Sequence, residues 1–196
     1  MMGSGVNAQG ANALMNAIVR YFPSPERAAR DSGVDLTTGE HFVANYKPDV
    51  NLSMKVFKTI ADPFIGKYSL VKVLTGVLRA DSELFNTGKE VEEKSGKIYV
   101  LRGKEAIEVS ELRPGDIGAM AKLNETETGD TLARKQAPIL YNAPQISKPY
   151  TYKAYVAKNK GDEDRIASGL AKLMEEDRTL RAEVDAENRQ SLLYGI

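Results

Sequence analysis

Between residues 52 and 123 the chain breaks into short apolar runs cut by Gly, Asn and Pro. Leu52, Met54 and Val56 alternate with Ser53 and Lys55, the two-residue period of a strand that buries one side. A longer strand is predicted over 68–78, rich in β-branched and aliphatic residues. Gly76 near its end marks a bulge or the close approach of another backbone. Further short strands are predicted over 83–85, 97–101, 105–109 and 117–123. Pro114-Gly115 has the composition of a type II turn, proline fixing the first central φ and glycine supplying the positive one. Short strands separated by such turns predict a small closed barrel.

The flanks read differently. Ala11, Leu14, Met15, Ile18 and Phe22 recur at three- and four-residue spacing, which predicts an amphipathic helix over 11–22. Pro23 and Pro25 stop it. Residues 26–46 are polar and glycine-bearing and read as a linker. Residues 137–149, with Pro138, Pro144 and Pro149, read as a second, extended linker. A strand over 150–157, a helix over 162–177 and strands over 180–184 and 191–194 follow, with a turn around Asn188. That is the β-α-β-β beginning of a ferredoxin-like unit. Ile166, Leu170, Leu173 and Met174 are its expected buried helical stripe, and Asp162 its expected cap. An incomplete sheet of this kind leaves an unpaired edge, so self-association is expected near 180–194.

Composition narrows the classes. Lys and Arg number 27 and Asp and Glu 27, so the net charge of zero gives no general pull toward nucleic acid, and RNA contact requires a local patch. Cysteine is absent, which removes disulfides, thiolate metal sites and a cysteine nucleophile. No apolar run approaches the length of a membrane span, and the N-terminus does not read as a secretory signal, so a cytoplasmic location is expected.

Candidate chemistry is sparse. A phosphate loop needs Gly-x4-Gly-Lys-Ser/Thr. At Gly96-Lys97 the following residue is Ile98 and the first glycine is replaced by Val91, so no GTPase activity is expected of these residues alone. Asn159-Lys160-Gly161-Asp162 fits the guanine-reading Asn-Lys-x-Asp pattern, but also a polar turn leading into a helix. His41, the sole histidine, lies in the first predicted linker without evident partners. The acidic runs Glu90, Glu92, Glu93 and Glu175, Glu176, Asp177 are interleaved with Lys and Arg and read as solvated faces. Lys94, Lys97, Arg102 and Lys104 gather around one predicted hairpin and, with Lys67, are the candidate RNA-binding residues, with the wet rim of a barrel as the competing reading.

Several segments, in order along the chain, resemble the elongation factor G family of translational GTPases. Gly3-Ser4-Gly5, with Asn7 and Gly10, looks like the guanine-contacting loop late in the GTPase domain, which makes Ser4 a candidate remnant of the nucleotide site. Tyr21-Phe22-Pro23-Ser24-Pro25 looks like the end of that domain's last helix. Asp62-Pro63-Phe64-Ile65-Gly66-Lys67 matches the first hairpin of the second-domain barrel, and Thr128-Gly129-Asp130-Thr131-Leu132 its closing motif. Leu173-Met174-Glu175-Glu176-Asp177 and Tyr194-Gly195 resemble the third domain, where the family usually continues into proline and this chain has Arg178. Leu101-Arg102-Gly103-Lys104 looks more like the family's paralogues than the housekeeping factor.

The resemblance implies a mainly β and α+β chain. Residues 1–25 are the expected tail of a GTPase domain, 26–46 a linker, 47–137 the domain II β-barrel, 138–147 a linker and 148–196 a partial ferredoxin-like domain III. It implies a ribosome-binding fragment, partnered by small-subunit RNA and proteins and by the parent's GTPase domain, without a membrane. It implies no cofactor within the fragment, and GTP with magnesium in the parent, which would serve translocation, recycling or ribosome protection. The alternative is a stand-alone β-barrel interaction module with no ribosomal role.

Overall fold

A computed structural model describes residues 3–28, 31–62, 66–103 and 105–196. Two helices come first, α1 (Ala11–Tyr21) and the single turn α2 (Pro25–Ala28). They are followed by β1 (Ser32–Asp35), β2 (His41–Val43), β3 (Ser53–Asp62), β4 (Gly66–Thr75), β5 (Leu78–Arg79), β6 (Glu83–Asn86) and β7 (Val91–Lys94). Next come β8 (Ile98–Arg102), β9 (Glu105–Val109), β10 (Glu111–Leu112), β11 (Ile117–Ala121), β12 (Thr131–Ala133) and β13 (Ile139–Tyr141). The C-terminal part is β14 (Thr151–Tyr155), α3 (Glu163–Glu176), β15 (Arg181–Asp185) and β16 (Gln190–Gly195).

Eight strands make one sheet in the order β7-β6-β12-β3-β4-β11-β8-β9. Met54 and Val56 of β3, Val71 and Val73 of β4, Leu84 of β6, Ile98 of β8, Met120 of β11 and Leu132 of β12 share a single core. Strands far apart in the sheet order therefore meet, so the sheet wraps into a barrel. The short β5–β10 pair adds Leu78 and Leu112 to the same core. Each such side chain contributes roughly 1.5–3 kcal/mol on burial.

The strand predicted over 68–78 ends earlier, at Thr75. Gly76 has φ 66°, and a Cβ there would lie 2.6 Å from the Cα of Leu52, so another backbone does approach it. Asp116 N–H donates to the Arg113 carbonyl at 2.9 Å across Pro114-Gly115, with Gly115 at φ 93°, as the turn composition predicts. The alternation expected at the start of β3 is broken. Ser53 is as buried as Met54, because the β3–β4 register shifts between them. A second shift between Val56 and Lys58 leaves Phe57 bulged and exposed.

Both predicted linkers are instead part of the fold. Within 26–46 lie part of α2 and the β1–β2 hairpin, and within 137–149 lies β13, which pairs antiparallel with β1. Phe42, Ala44, Tyr46, Ile139 and Tyr141 pack with Leu74 of β4 as a second, smaller core on the outside of the barrel. Ser53 bridges the two layers, its Oγ lying 2.7 Å from the Tyr141 hydroxyl and 2.6 Å from Thr75 Oγ1, which in turn donates to the Asn51 carbonyl. Burial pushes the Tyr141 hydroxyl up to about 12.

The C-terminal unit is β-α-β-β with sheet order β14-β16-β15, both pairs antiparallel. β16 is the central strand, paired on both sides, so within 180–194 only the outer edge of β15 is open, and the other open edge belongs to β14. The helical stripe is only half-covered. Ile166, Leu170 and Met174 are partly buried, and Leu173 is 48% exposed. Asp162 stands at the N-cap position but its side chain makes no capping bond. Hydrogen bonds to Glu176 and from Arg178 tie this unit to the barrel. Ala61 N–H donates to Glu176 Oε1 at 2.6 Å, and Arg178 Nη1 donates to Glu127 Oε2 at 2.8 Å. Among the described residues no helix is long and apolar enough to cross a membrane, which says nothing of spanning by strands.

Candidate nucleic-acid interface

The candidate cations do not share one hairpin. Lys94 ends β7 in the β6–β7 hairpin, whereas Lys97 immediately precedes β8 and Arg102 ends it, in the β8–β9 hairpin. At the rise of a strand, Lys97 and Arg102 are roughly 17 Å apart along the backbone. Each has a carboxylate neighbour. Lys94 Nζ is 3.7 Å from Asp81, Lys97 Nζ 2.8 Å from Glu108, and Arg102 Nη2 2.9 Å from Glu105. Glu108 holds the Lys97 ammonium above its ordinary value, chiefly through that hydrogen bond. These pairs are exposed, and exposed ion pairs are weakly held because water and salt screen them. Of the cations grouped from the sequence, Lys94, Lys97 and Arg102 are thus spread over two hairpins and screened by acids. Lys104 lies outside the described residues, as do Pro63, Phe64 and Ile65 of the hairpin motif.

Lys67 faces elsewhere. Its Nζ donates to the Thr126 carbonyl at 3.1 Å, and it lines a cleft of about 350 Å³ between barrel and α3 with Thr59, Glu127, Met174, Arg178 and Leu180. Glu127 has two cationic neighbours there, Arg178 and, at 3.4 Å, Lys89. Burial pushes its carboxyl upward, but the Arg178 bond and the Lys89 charge outweigh that and hold it below its ordinary range. Arg178, noted from sequence as a departure from proline, also donates to the Thr128 carbonyl at 3.3 Å. The sequence marked the residue but not its role, because its partners are fifty residues away.

The closing motif is architectural. Asp130 Oδ2 accepts from Asn86 Nδ2 at 2.8 Å and from Glu127 N–H at 2.9 Å. The Asp130 carbonyl accepts from Val56 N–H, and Thr131 Oγ1 accepts from Tyr141 N–H. The motif therefore fastens β12 to β3, β6 and β13 at once.

Ser4 forms an isolated bridge with Gln9, its N–H donating to the Gln9 carbonyl at 3.1 Å and its Oγ accepting from Asn7 N–H. Gly3, Ser4, Gly10 and Leu14 help line a hollow of about 360 Å³ at the start of α1. The Asn159–Asp162 turn is satisfied internally. Asn159 Nδ2 donates to Asp162 Oδ2 at 3.0 Å, and Gly161 N–H donates to Glu163 Oε2. His41 is exposed, on strand β2 rather than in a linker. Glu92 pairs with Lys135, and Glu93 accepts from Glu125 N–H and Thr126 Oγ1, so the first acidic run braces the barrel. Among the described residues no cluster of His, Asp and Glu is placed to hold a metal.

The description "Elongation factor G domain 2" matches residues 51–135, and "Elongation Factor G, domain III" matches residues 146–196. Together they cover more than two thirds of the chain, which belongs to the elongation factor G family. A crystal structure of a protein from Thermus thermophilus is similar at 25% identity and a TM-score of 0.72, over 95% of this chain and 26% of that one. The chain thus spans about a quarter of the length of that relative.

Proposed function

We propose that this chain docks on the ribosome, its barrel resting on small-subunit RNA and protein. The observation that supports this is the co-linear match to the second and third domains of elongation factor G. Lys67, Lys94, Lys97 and Arg102 are the proposed contacts, the last three exchanging weakly held carboxylates for phosphates. Nucleotide hydrolysis, with GTP and magnesium, is assigned to a GTPase domain of the parent protein, with Ser4 a remnant of its guanine loop. Leu14, Met15 and Ile18 on α1 are 53%, 60% and 38% exposed, an apolar stripe suited to packing on such a domain. The compartment this role requires is the cytoplasm.

The test is co-sedimentation of the chain with purified small subunits. The expected result is pelleting that falls steeply between about 50 and 200 mM salt. Absence of pelleting at low salt rejects the docking role and favours a stand-alone barrel that binds another protein, a reading that the acid-screened hairpins also support. Self-association, proposed at the open edge of β15, is read by sedimentation at high concentration, where a monomer rejects it.

A further inference from the structure

The connection between α1 and the barrel is built as a bracket. Phe22 closes α1, its N–H donating to the Ile18 carbonyl, and its ψ of 135° sends the chain on as extended backbone. Pro23 and Pro25 follow. Each has its φ fixed by its ring and holds the residue before it extended. Pro25 is also the first residue of α2, where its missing N–H costs nothing. Ser24 caps that turn, its Oγ accepting from Arg27 N–H at 3.4 Å and its carbonyl from Ala28 N–H at 3.0 Å. Few free torsions remain between α1 and α2.

The bracket is fastened at both ends to one place on the barrel. At one end Pro25 lies against Gly115. A Cβ built on Gly115 would stand 2.9 Å from Pro25 Cγ and 3.1 Å from Pro25 Cβ. The same point is 3.9 Å from Tyr46 Cδ1, so Pro25 and Tyr46 both abut the glycine. Gly115 is itself held to β4, its N–H donating to the Val73 carbonyl at 2.8 Å. At the other end Asp31 accepts from the Tyr46 hydroxyl at 2.9 Å. Tyr46 therefore serves both fastenings, one beside its ring and one at its hydroxyl.

Tyr46 is held in an unfavourable backbone conformation. Its φ is 54°, in the left-handed region that a bulky residue enters only at a cost. Such strain persists only where the surroundings impose it. Here they do. Tyr46 is almost fully buried, packs in one cluster with Leu74, Ile139 and Tyr141, and has Lys72 Nζ over its ring at 5.2 Å from the centroid. We propose that Tyr46, Gly115 and Pro25 form a rigid joint that fixes the direction in which α1 leaves the barrel, so that the two turn as one body. The joint rests on contacts inside this chain and is independent of ribosome docking.

Cysteine is absent, so spin labels can be placed at two chosen points. Asn16→Cys on α1 and Lys58→Cys on β3 are at exposed positions outside the joint. Double electron–electron resonance on the doubly labelled 196-residue chain reads the distance between them. The expected result is one narrow distance distribution. Tyr46→Phe removes the bond to Asp31 and keeps the ring, and Pro25→Ala removes the ring atoms that meet Gly115. Each is expected to broaden the distribution. Together they should spread it over about 15 Å, the root-mean-square span of a free tether of about eight residues. Ile98→Val, in the barrel core, lowers stability without changing the distance, which separates a loosened joint from a loosened barrel. A broad distribution with the joint intact overturns the proposal, because the connection is then a hinge. A narrow distribution that survives both joint substitutions overturns it too, since the direction of α1 is then set elsewhere. Failure to pellet with small subunits does not alter these expectations, so the two readings fail separately.

Discussion

The amide of Ala61, near the end of the longest barrel hairpin, donates to Glu176 Oε1 at the last turn of α3, at 2.6 Å. Two residues on, Arg178 reaches back to Glu127 and to the Thr128 carbonyl. An anion and a cation flanking the helix end thus grip the barrel at two points. A bond from a neutral amide to a carboxylate contributes about 1.5–3 kcal/mol. Glu176→Ala is expected to expose the Ala61 amide, read as faster hydrogen exchange at that residue with the barrel core unchanged. Exchange at Ala61 equal to that of the wild type would show that Glu176 does not hold the two units together.

Asp31 gathers three partners. Its Oδ2 accepts from the Tyr46 hydroxyl at 2.9 Å and from Lys72 Nζ at 3.0 Å, and its Oδ1 lies 3.5 Å from Lys55 Nζ. Burial pushes the carboxyl upward, but the bonds from Lys72 and Tyr46 and the two lysine charges together hold it below its ordinary 3.8. Asp31→Ala leaves two partly buried lysines facing each other's charge and is expected to cost about 2 kcal/mol at neutral pH. Because the folded value is the lower one, the stabilisation is complete above the ordinary value and disappears as pH falls through the folded value. The stability difference between wild type and Asp31→Ala, measured by urea unfolding, should therefore shrink below about pH 4. A difference independent of pH would mean that the carboxylate charge contributes nothing.

The barrel could be read from sequence where strands are long and rich in aliphatic and β-branched residues, as in β3 and β4, because such runs bounded by turn residues have few competing readings. It could not be read in β1, β2 and β13. Each has three or four residues, and β1 is Ser-Gly-Val-Asp, in which the side chain of Val34 is partly exposed and the buried residue is Gly33. Val91-Glu-Glu-Lys looked like a charged surface run because β7 is an edge strand with every second residue in water. The candidate cations were visible as residues, but their screening was not. The acids beside Lys97 and Arg102 are set by the β8–β9 register, which no local pattern encodes.

Gly33 tests whether the first predicted linker is integral to the barrel. A Cβ built there would lie 2.0 Å from the Leu140 carbonyl oxygen and 2.6 Å from the Tyr141 Cα, both backbone atoms with no freedom to give way. Gly33→Ala is expected to separate β1 from β13 and cost about 1–3 kcal/mol. Tyr141 should lose its edge-on contact with Phe42 and become more accessible to solvent. Thermal unfolding indistinguishable from wild type would return 26–46 to the status of a linker.

Ser69 offers a test with the opposite sign. It is fully buried on β4, opposite Thr59 and Met120, and among the described residues its hydroxyl has no hydrogen-bond partner. A buried hydroxyl without a partner costs about 1–3 kcal/mol in lost hydration. Ser69→Ala removes that cost and leaves a void of a single oxygen atom, so the variant is expected to be as stable as wild type or up to about 1 kcal/mol more stable. Thr59 keeps its own bond to Thr128 Oγ1 and should not respond. A clear loss of stability in urea unfolding would mean that the Ser69 hydroxyl has a partner in solution, and that the wall of the barrel between β4 and β11 admits water.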